Sequence, residues 1–128
     1  MIKRTKLVLA IATTLVAHMA DAAEFFPLPN SDALAMLGSI EVSDISRLEG
    51  YLEAGIKDMY LSSPGGDLDA AWQLGGLVQK HQVKITITKD VACSSACAIL
   101  FLHSPHRLME SNSQCLTSAP MGPNRVVC

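Results

Sequence analysis

Two short segments of this 128-residue chain combine the residue types that acyl-transfer chemistry needs. The first is Ser-Pro-Gly-Gly at 63–66, and the second is Cys-Ser-Ser-Ala-Cys at 93–97. Glycines after a strand let backbone N–H groups point into open space and bind an oxyanion, and a serine at a helix start lies at the positive end of the helix dipole. Each segment alone is ordinary, since Pro-Gly-Gly is common in turns and serine is a common helix cap. Their combination in one chain is more specific than either segment alone.

The hydrophobic pattern predicts alternating strands and helices around these two segments. The predicted order is that of an α/β domain built from strand-helix-strand crossovers, and no apolar period continues beyond Met109. In chain order the predicted elements are a buried strand over 34–40, a helix capped by Ser43 or Asp44 and ended by Gly55, a strand over 57–62, a helix from Asp67, a half-buried strand over 83–88, and a helix over 95–102 that is buried on all sides and stopped by Pro105.

The helix from Asp67 contains two adjacent glycines, which are unfavourable in a helix by about 1 kcal/mol each relative to alanine. Gly75 and Gly76 therefore predict close packing against a neighbouring backbone. The predicted core stripe of this helix consists of Leu68, Ala71, Trp72, Gly75 and Val78.

The first 22 residues have the pattern of a secretory signal peptide. A basic stretch at 3–6 precedes an apolar run at 7–17, and Ala20 and Ala22 are the small residues at the −3 and −1 positions. The sequence therefore predicts cleavage after Ala22 and a periplasmic or secreted protein. An uncleaved anchor is the alternative, but the run is shorter than the ~20 apolar residues of a spanning helix, so no stable membrane span is expected after cleavage.

Composition limits the functions of the processed chain. The 106 residues after Ala22 keep 7 of the 10 basic and 11 of the 12 acidic residues, a net charge of −4. A chain with balanced, unclustered charges lacks the basic face that phosphate binding needs, so a nucleic-acid partner is not expected. We predict one domain over 23–110 and an irregular tail over 111–128.

Export makes all four cysteines disulfide candidates: Cys93, Cys97, Cys115 and Cys128. Cys93 and Cys97 can bridge if the first precedes a helix and the second lies on its first turn. Cys115 with Cys128 would follow by elimination, with unpaired thiols at these positions as the alternative. A zinc site made of Cys93, Cys97, His103 and His106 has enough ligands, but its spacing is unusual and export favours the disulfide.

The segments at 60–68, 74–78 and 91–98 resemble the strand with its oxyanion loop, the following helix and the nucleophile segment of the Clp protease and crotonase-like superfamily. The resemblance is to exported Clp-protease-like proteins of bacteria in particular, and it extends from Leu34 to Arg107. It implies the α/β fold of that superfamily, a spiral of ββα units. It also implies a peptide or acyl substrate, a homo-oligomer, and no cofactor or metal.

By this resemblance Ser95 matches the nucleophilic serine, and the backbone N–H groups of Ala96 and of Gly65 or Gly66 match the oxyanion hole. Ser94 is the competing nucleophile, and Ser95 is preferred because the family has a small residue before the nucleophile. The family's serine hydrolases take their general base from a histidine further along the chain, with an aspartate beyond it.

The chain departs from the family at this general base. The histidines after Ser95 are His103 and His106, which lie roughly 12 and 16 Å away along a helix, and no aspartate follows Asp90. His81 precedes the serine and is expected at the surface. We therefore expect a fold that is incomplete at its C-terminus, from a truncated or frameshifted gene, with impaired activity. The alternative is a non-catalytic protein that binds a carbonyl group or a peptide.

Overall fold

The computed structural model describes residues 21–116, which alternate between strands and helices. Its elements are β1 (Glu24–Pro27), β2 (Ala33–Leu37), α1 (Asp44–Glu53), β3 (Asp58–Ser62), α2 (Leu68–Lys80), β4 (Lys84–Ile87), β5 (Ala92–Ser94), α3 (Ala96–His103), β6 (His106–Met109) and β7 (Gln114–Leu116). The predicted signal peptide falls almost wholly on residues outside this range. No helix within 21–116 is long and apolar enough to cross a membrane.

Five strands form one sheet in the order β1-β2-β3-β4-β6, and β5 pairs with β7 in a second sheet of two strands. β1 runs antiparallel to β2, whereas β2, β3, β4 and β6 run parallel to one another. Because parallel neighbours need a crossover, α1 connects β2 to β3 and α2 connects β3 to β4. The predicted α/β class is confirmed.

The core is formed by the central strands and the helix faces that cover them. β4 is buried at Ile85, Thr86 and Ile87 in succession, so the prediction of a half-buried strand was wrong. The alternating sequence misled because β4 lies between two parallel strands and is covered on both faces. The largest fully buried side chains are Leu34, Met36, Ile40, Leu48, Met59, Leu61, Leu74, Val78, Val83, Ile85, Ile87 and Leu100.

The N-cap position of α1 is held by one of the two predicted residues, but its side chain does not make the cap. Ser43 occupies the N-cap position without a capping hydrogen bond, and the fully buried Asp44 carboxylate accepts the N–H groups of Glu41 (2.8 Å) and Ala23 (3.3 Å). Asp44 therefore joins α1 to the residue before β1. Gly55 has a φ of +109° just after α1, as the predicted helix end requires.

The core stripe predicted for α2 is right in part. Ala71, Gly75 and Val78 are buried, but Leu68 and Trp72 are 52% and 55% exposed. Close packing is found at Gly75 alone, where an added Cβ would lie 2.5 Å from the His103 ring. The neighbour is thus a side chain of α3, and no atom lies within 4 Å of a Cβ added at Gly76.

Helix α3 begins one residue after Ser95 and is mostly buried, although Leu102 is 38% exposed. The chain beyond Pro105 is more regular than its sequence indicated. β6 pairs with β4, and Gln114–Leu116, within the expected irregular tail, pairs in parallel with β5 as β7. Strands of four and three residues are too short to produce a recognisable period.

Candidate functional site

The two motifs of the sequence lie against each other. The loop after β3 continues along β5, because the Ser63 N–H donates to the Ala92 carbonyl (3.3 Å) and the Ser94 N–H donates to the Ser63 carbonyl (3.0 Å). Ser95 follows directly at the junction of β5 and α3. The backbone of the Gly-rich loop is therefore hydrogen-bonded to the strand that carries the candidate nucleophile.

Gly65 makes the closest approach between the two motifs. A Cβ added there would lie 2.9 Å from the Ser94 carbonyl oxygen, 3.0 Å from the Ser95 Cβ and 3.3 Å from the Ala96 nitrogen. Gly65 also has a φ of +110°, a conformation that side chains disfavour. Both the space and the backbone conformation require glycine at this position.

Gly66 is held against a different part of the chain. Its φ is +143°, and an added Cβ would lie only 2.2 Å from the Ile40 carbonyl oxygen. Hydrogen bonds on either side fix this contact: the Ile40 N–H donates to the Gly65 carbonyl and the Asp67 N–H donates to the Ile40 carbonyl, both at 2.8 Å. The loop is thus fixed by the chain that follows β2 as well as by β5.

Ser95 has the backbone conformation of a sharp strand-to-helix turn. Its φ is +55° and its ψ is −121°, which for a serine is unfavourable by about 1–3 kcal/mol. The residue is exposed, and its hydroxyl makes no hydrogen bond within residues 21–116. Such a turn presents a serine hydroxyl to solvent. The small residues Ser94 and Ala96 on either side are the one local signal for this positive φ.

Three backbone N–H groups lie near this turn, and one of them already donates a hydrogen bond. The Gly65 N–H donates to the Ser63 hydroxyl (3.1 Å), whose own proton goes to the Gly65 carbonyl (3.2 Å). Neither the Gly66 N–H nor the Ala96 N–H has an acceptor in the described part of the chain. Ala96 is the first residue of α3, where amides lack helical partners and the dipole is positive. Of the two glycines, Gly66 is therefore the one with a free donor.

No histidine between residues 21 and 116 is hydrogen-bonded to Ser95. His81 follows α2 as its C-cap, and His106 begins β6. His103 ends α3, with its Nδ1 atom 2.8 Å from the Ile99 carbonyl and its ring edge-on to Trp72 at a centroid distance of 4.8 Å. The described residues therefore bring the hydroxyl and the donors together without a base.

Cys93 and Cys97 form a disulfide, as their spacing suggested. The bond consumes both thiolates of the alternative zinc site, so that interpretation was wrong. No group of three or more His, Cys, Asp or Glu side chains suited to a metal occurs among the residues described. The side chain of Cys115 and all of Cys128 lie outside the described residues, and their pairing stays a prediction.

Comparison with solved structures identifies the fold. A ClpP1 variant from Listeria monocytogenes superposes with a TM-score of 0.59 at 20% identity, over 71% of this chain and 58% of that one. A variant of 1510-N, a membrane-bound stomatin-specific protease, gives 0.54 at 17% identity over 65% and 44%. Methylmalonyl CoA decarboxylase gives 0.51 at 12% identity over 76% and 48%.

No family model and no curated protein sequence matches the chain. The chain spans about half the length of these structural neighbours, 44–58% of each. At these identities the similarity establishes the fold alone. The predicted Clp protease and crotonase-like α/β fold is confirmed, and the roles of individual residues stay predictions.

Proposed function

We propose that the chain is a serine-hydrolase-like protein of the Clp type, with Ser95 as nucleophile and a peptide or acyl compound as substrate. The observation that carries the proposal is the contact of the Gly-rich loop with a serine at positive φ on a strand-to-helix turn. The Ser95 turn offers an exposed hydroxyl and the Ala96 N–H, and the adjoining loop offers the Gly66 N–H, neither with an acceptor among the described residues. This arrangement suits attack on a carbonyl better than it suits a structural cap.

In the proposed reaction the Ser95 Oγ atom attacks the carbonyl carbon of the substrate. The electron pair of the C=O double bond moves to oxygen, and the N–H groups of Ala96 and Gly66 bind the resulting oxyanion. Removal of one such donor lowers the rate of a working enzyme by about 10²–10³. No described histidine is hydrogen-bonded to Ser95, so the hydroxyl proton passes to a solvent water. The carbonyl then re-forms, the bond from its carbon to the amine or alcohol of the substrate breaks, and that leaving group takes a proton from solvent. Because water is a weak acceptor, we expect slow acylation.

Reaction with a fluorophosphonate tests this proposal, because phosphonylation of Ser95 develops negative charge that the N–H groups of Ala96 and Gly66 can bind. Without a histidine base the reaction should be slow, so labelling is followed over a long time course. We expect the purified chain to carry one adduct, which mass spectrometry of its peptides maps to Ser95. Ser95→Ala should abolish the adduct, and the matched control Ser94→Ala should retain it. Labelling that is equal in the wild type and in Ser95→Ala would overturn the proposal.

The alternative is a non-catalytic protein whose loop and helix start bind a carbonyl or carboxylate group. The absence of a base contact at Ser95 within the described residues favours it. In that case calorimetry should detect binding of an N-acyl peptide that requires Gly66 and Ala96, while Ser95 takes no phosphonate adduct.

We also propose that the protein is exported and processed after Ala22. The pattern of the first 22 residues supports this, and so does the Cys93–Cys97 disulfide, because disulfides persist in oxidising compartments.

A further inference from the structure

The disulfide spans the turn that carries the candidate nucleophile. Cys93 is the middle residue of β5 and Cys97 is the second residue of α3, so the bond encloses Ser94, Ser95 and Ala96. The two Cα atoms are 5.2 Å apart, and both cysteines are fully buried. The bond therefore links the two elements whose relative position determines the turn.

A serine at positive φ keeps that conformation only when its surroundings enforce it. On one side, β5 is fixed by the hydrogen bonds between Ser63 and its neighbours Ala92 and Ser94. On the other side, α3 is buried against α2. The Gly65 backbone packs against Ser94 and Ala96 on both sides of Ser95, and among the described contacts the disulfide is the covalent cross-link between β5 and α3.

We propose that the Cys93–Cys97 disulfide is a positioning device for Ser95 and for the Ala96 N–H, and that its reduction lowers the reactivity of Ser95 while the domain stays folded. This inference rests on the proposed function. Without the bond, Ser95 can relax to negative φ, which displaces its hydroxyl and turns the Ala96 N–H away from that of Gly66. The strain that is released corresponds to a roughly tenfold to hundredfold smaller reactive population.

Reduction by a dithiol accounts for every electron and proton. Two thiols of the reductant lose two electrons and two protons and become its disulfide. The Sγ–Sγ bond breaks, and Cys93 and Cys97 each gain one electron and one proton as thiols. We expect α3 to stay folded after reduction, because its large buried side chains, such as Leu100 and Phe101, keep their packing. The site would thus be fully reactive only where disulfides persist.

The test compares second-order rate constants for fluorophosphonate labelling of Ser95. The samples are the oxidised chain, the same chain refolded and kept in dithiothreitol, and the double variant Cys93→Ala/Cys97→Ala. Gly76→Ala is the control, because its added Cβ meets no atom within 4 Å and the substitution leaves both cysteines in place. Circular dichroism and urea unfolding check that every sample is folded at the temperature of the labelling experiment.

We expect labelling about tenfold to hundredfold slower in the reduced chain and in the double variant, recovery on reoxidation, and no change in Gly76→Ala. Equal rates in the oxidised and reduced chains, with the adduct on Ser95, would overturn the inference and leave the proposed function intact. Loss of the fold on reduction would also overturn the inference, because the bond would then stabilise the whole domain rather than position Ser95. The absence of any adduct in the oxidised chain would instead contradict the proposed function.

Discussion

Ser95 combines an unfavourable backbone conformation with an exposed hydroxyl that makes no hydrogen bond within residues 21–116. A structural cap accepts a helix N–H with its side chain, as the Asp67 carboxylate does from Ala70 at the start of α2. Ser43 at the start of α1 also makes no capping bond, but its φ of −62° is ordinary, so the positive φ and the exposure of Ser95 are the reason to propose a chemical role for it. Gly65 and Gly66 cannot be replaced by a larger residue without strain, because neighbouring backbone atoms occupy the space that a side chain would need.

Gly66 should be the least replaceable residue of the loop. Gly66→Ala places a Cβ against the Ile40 backbone, which cannot move without breaking two hydrogen bonds, and it forces alanine to a φ of +143°. We expect the free energy of unfolding to fall by about 2–4 kcal/mol in urea titrations. Gly50→Ala, with nothing within 4 Å of the added Cβ, is the control and should be neutral or stabilising. A Gly66→Ala chain as stable as the wild type would contradict the geometry of the loop.

At the scale of elements, the contact between α2 and α3 supports the turn at Ser95. α2 follows the Gly-rich loop and α3 follows Ser95, so the packing of the two helices determines how the two motifs meet. Gly75 allows this approach, because the His103 ring occupies the space of its missing side chain. The neighbouring Gly76 is exposed and contributes nothing to the contact.

The two adjacent glycines should therefore respond in opposite directions to alanine. Gly75→Ala should lower the free energy of unfolding by about 1–3 kcal/mol, because the new Cβ overlaps the His103 ring. Gly76→Ala should raise it by about 0.5–1 kcal/mol, because alanine has the higher helix propensity and meets no atom. Urea unfolding of the matched pair measures both. A shift of the same sign in both variants would mean that α2 and α3 do not pack in this way.

The sequence was sufficient to predict elements with long apolar periods but not the details of the site. α1, α2 and α3 were found within one or two residues, since apolar spacing and Gly55 or Pro105 mark them. β5 and β7 have three residues each, so their sheet could not be foreseen. The φ of Ser95 and the hydrogen bond from Gly65 to Ser63 depend on contacts between distant segments, which no local pattern encodes.

For the whole molecule, the chain has the fold of its structural neighbours over about half of their length. Within it the site is built from four places: the end of β3, the start of α2, the end of β5 and the start of α3. Ala23, the residue after the predicted cleavage point, is buried in the core, and its N–H donates to the Asp44 carboxylate. Processing would thus produce a terminal ammonium group beside a buried carboxylate.

Protein recovered from the periplasmic fraction of a bacterial host should begin at Ala23. Terminal sequencing or intact mass measurement determines this directly. Ala22→Leu should block processing, because a large residue at the −1 position does not fit the peptidase, and the unprocessed chain should remain with the membrane fraction. Recovery of the wild-type chain with residues 1–22 attached would contradict the predicted export.

The most direct test of the central claim is a crystal structure of the phosphonylated chain. We expect a phosphorus atom bonded to the Ser95 Oγ atom and a phosphoryl oxygen about 2.7–3.1 Å from the Gly66 and Ala96 nitrogens. The Gly65 N–H should remain bonded to the Ser63 hydroxyl. An adduct on Ser94, or a phosphoryl oxygen directed to solvent away from both N–H groups, would contradict the proposed roles of Ser95, Gly66 and Ala96.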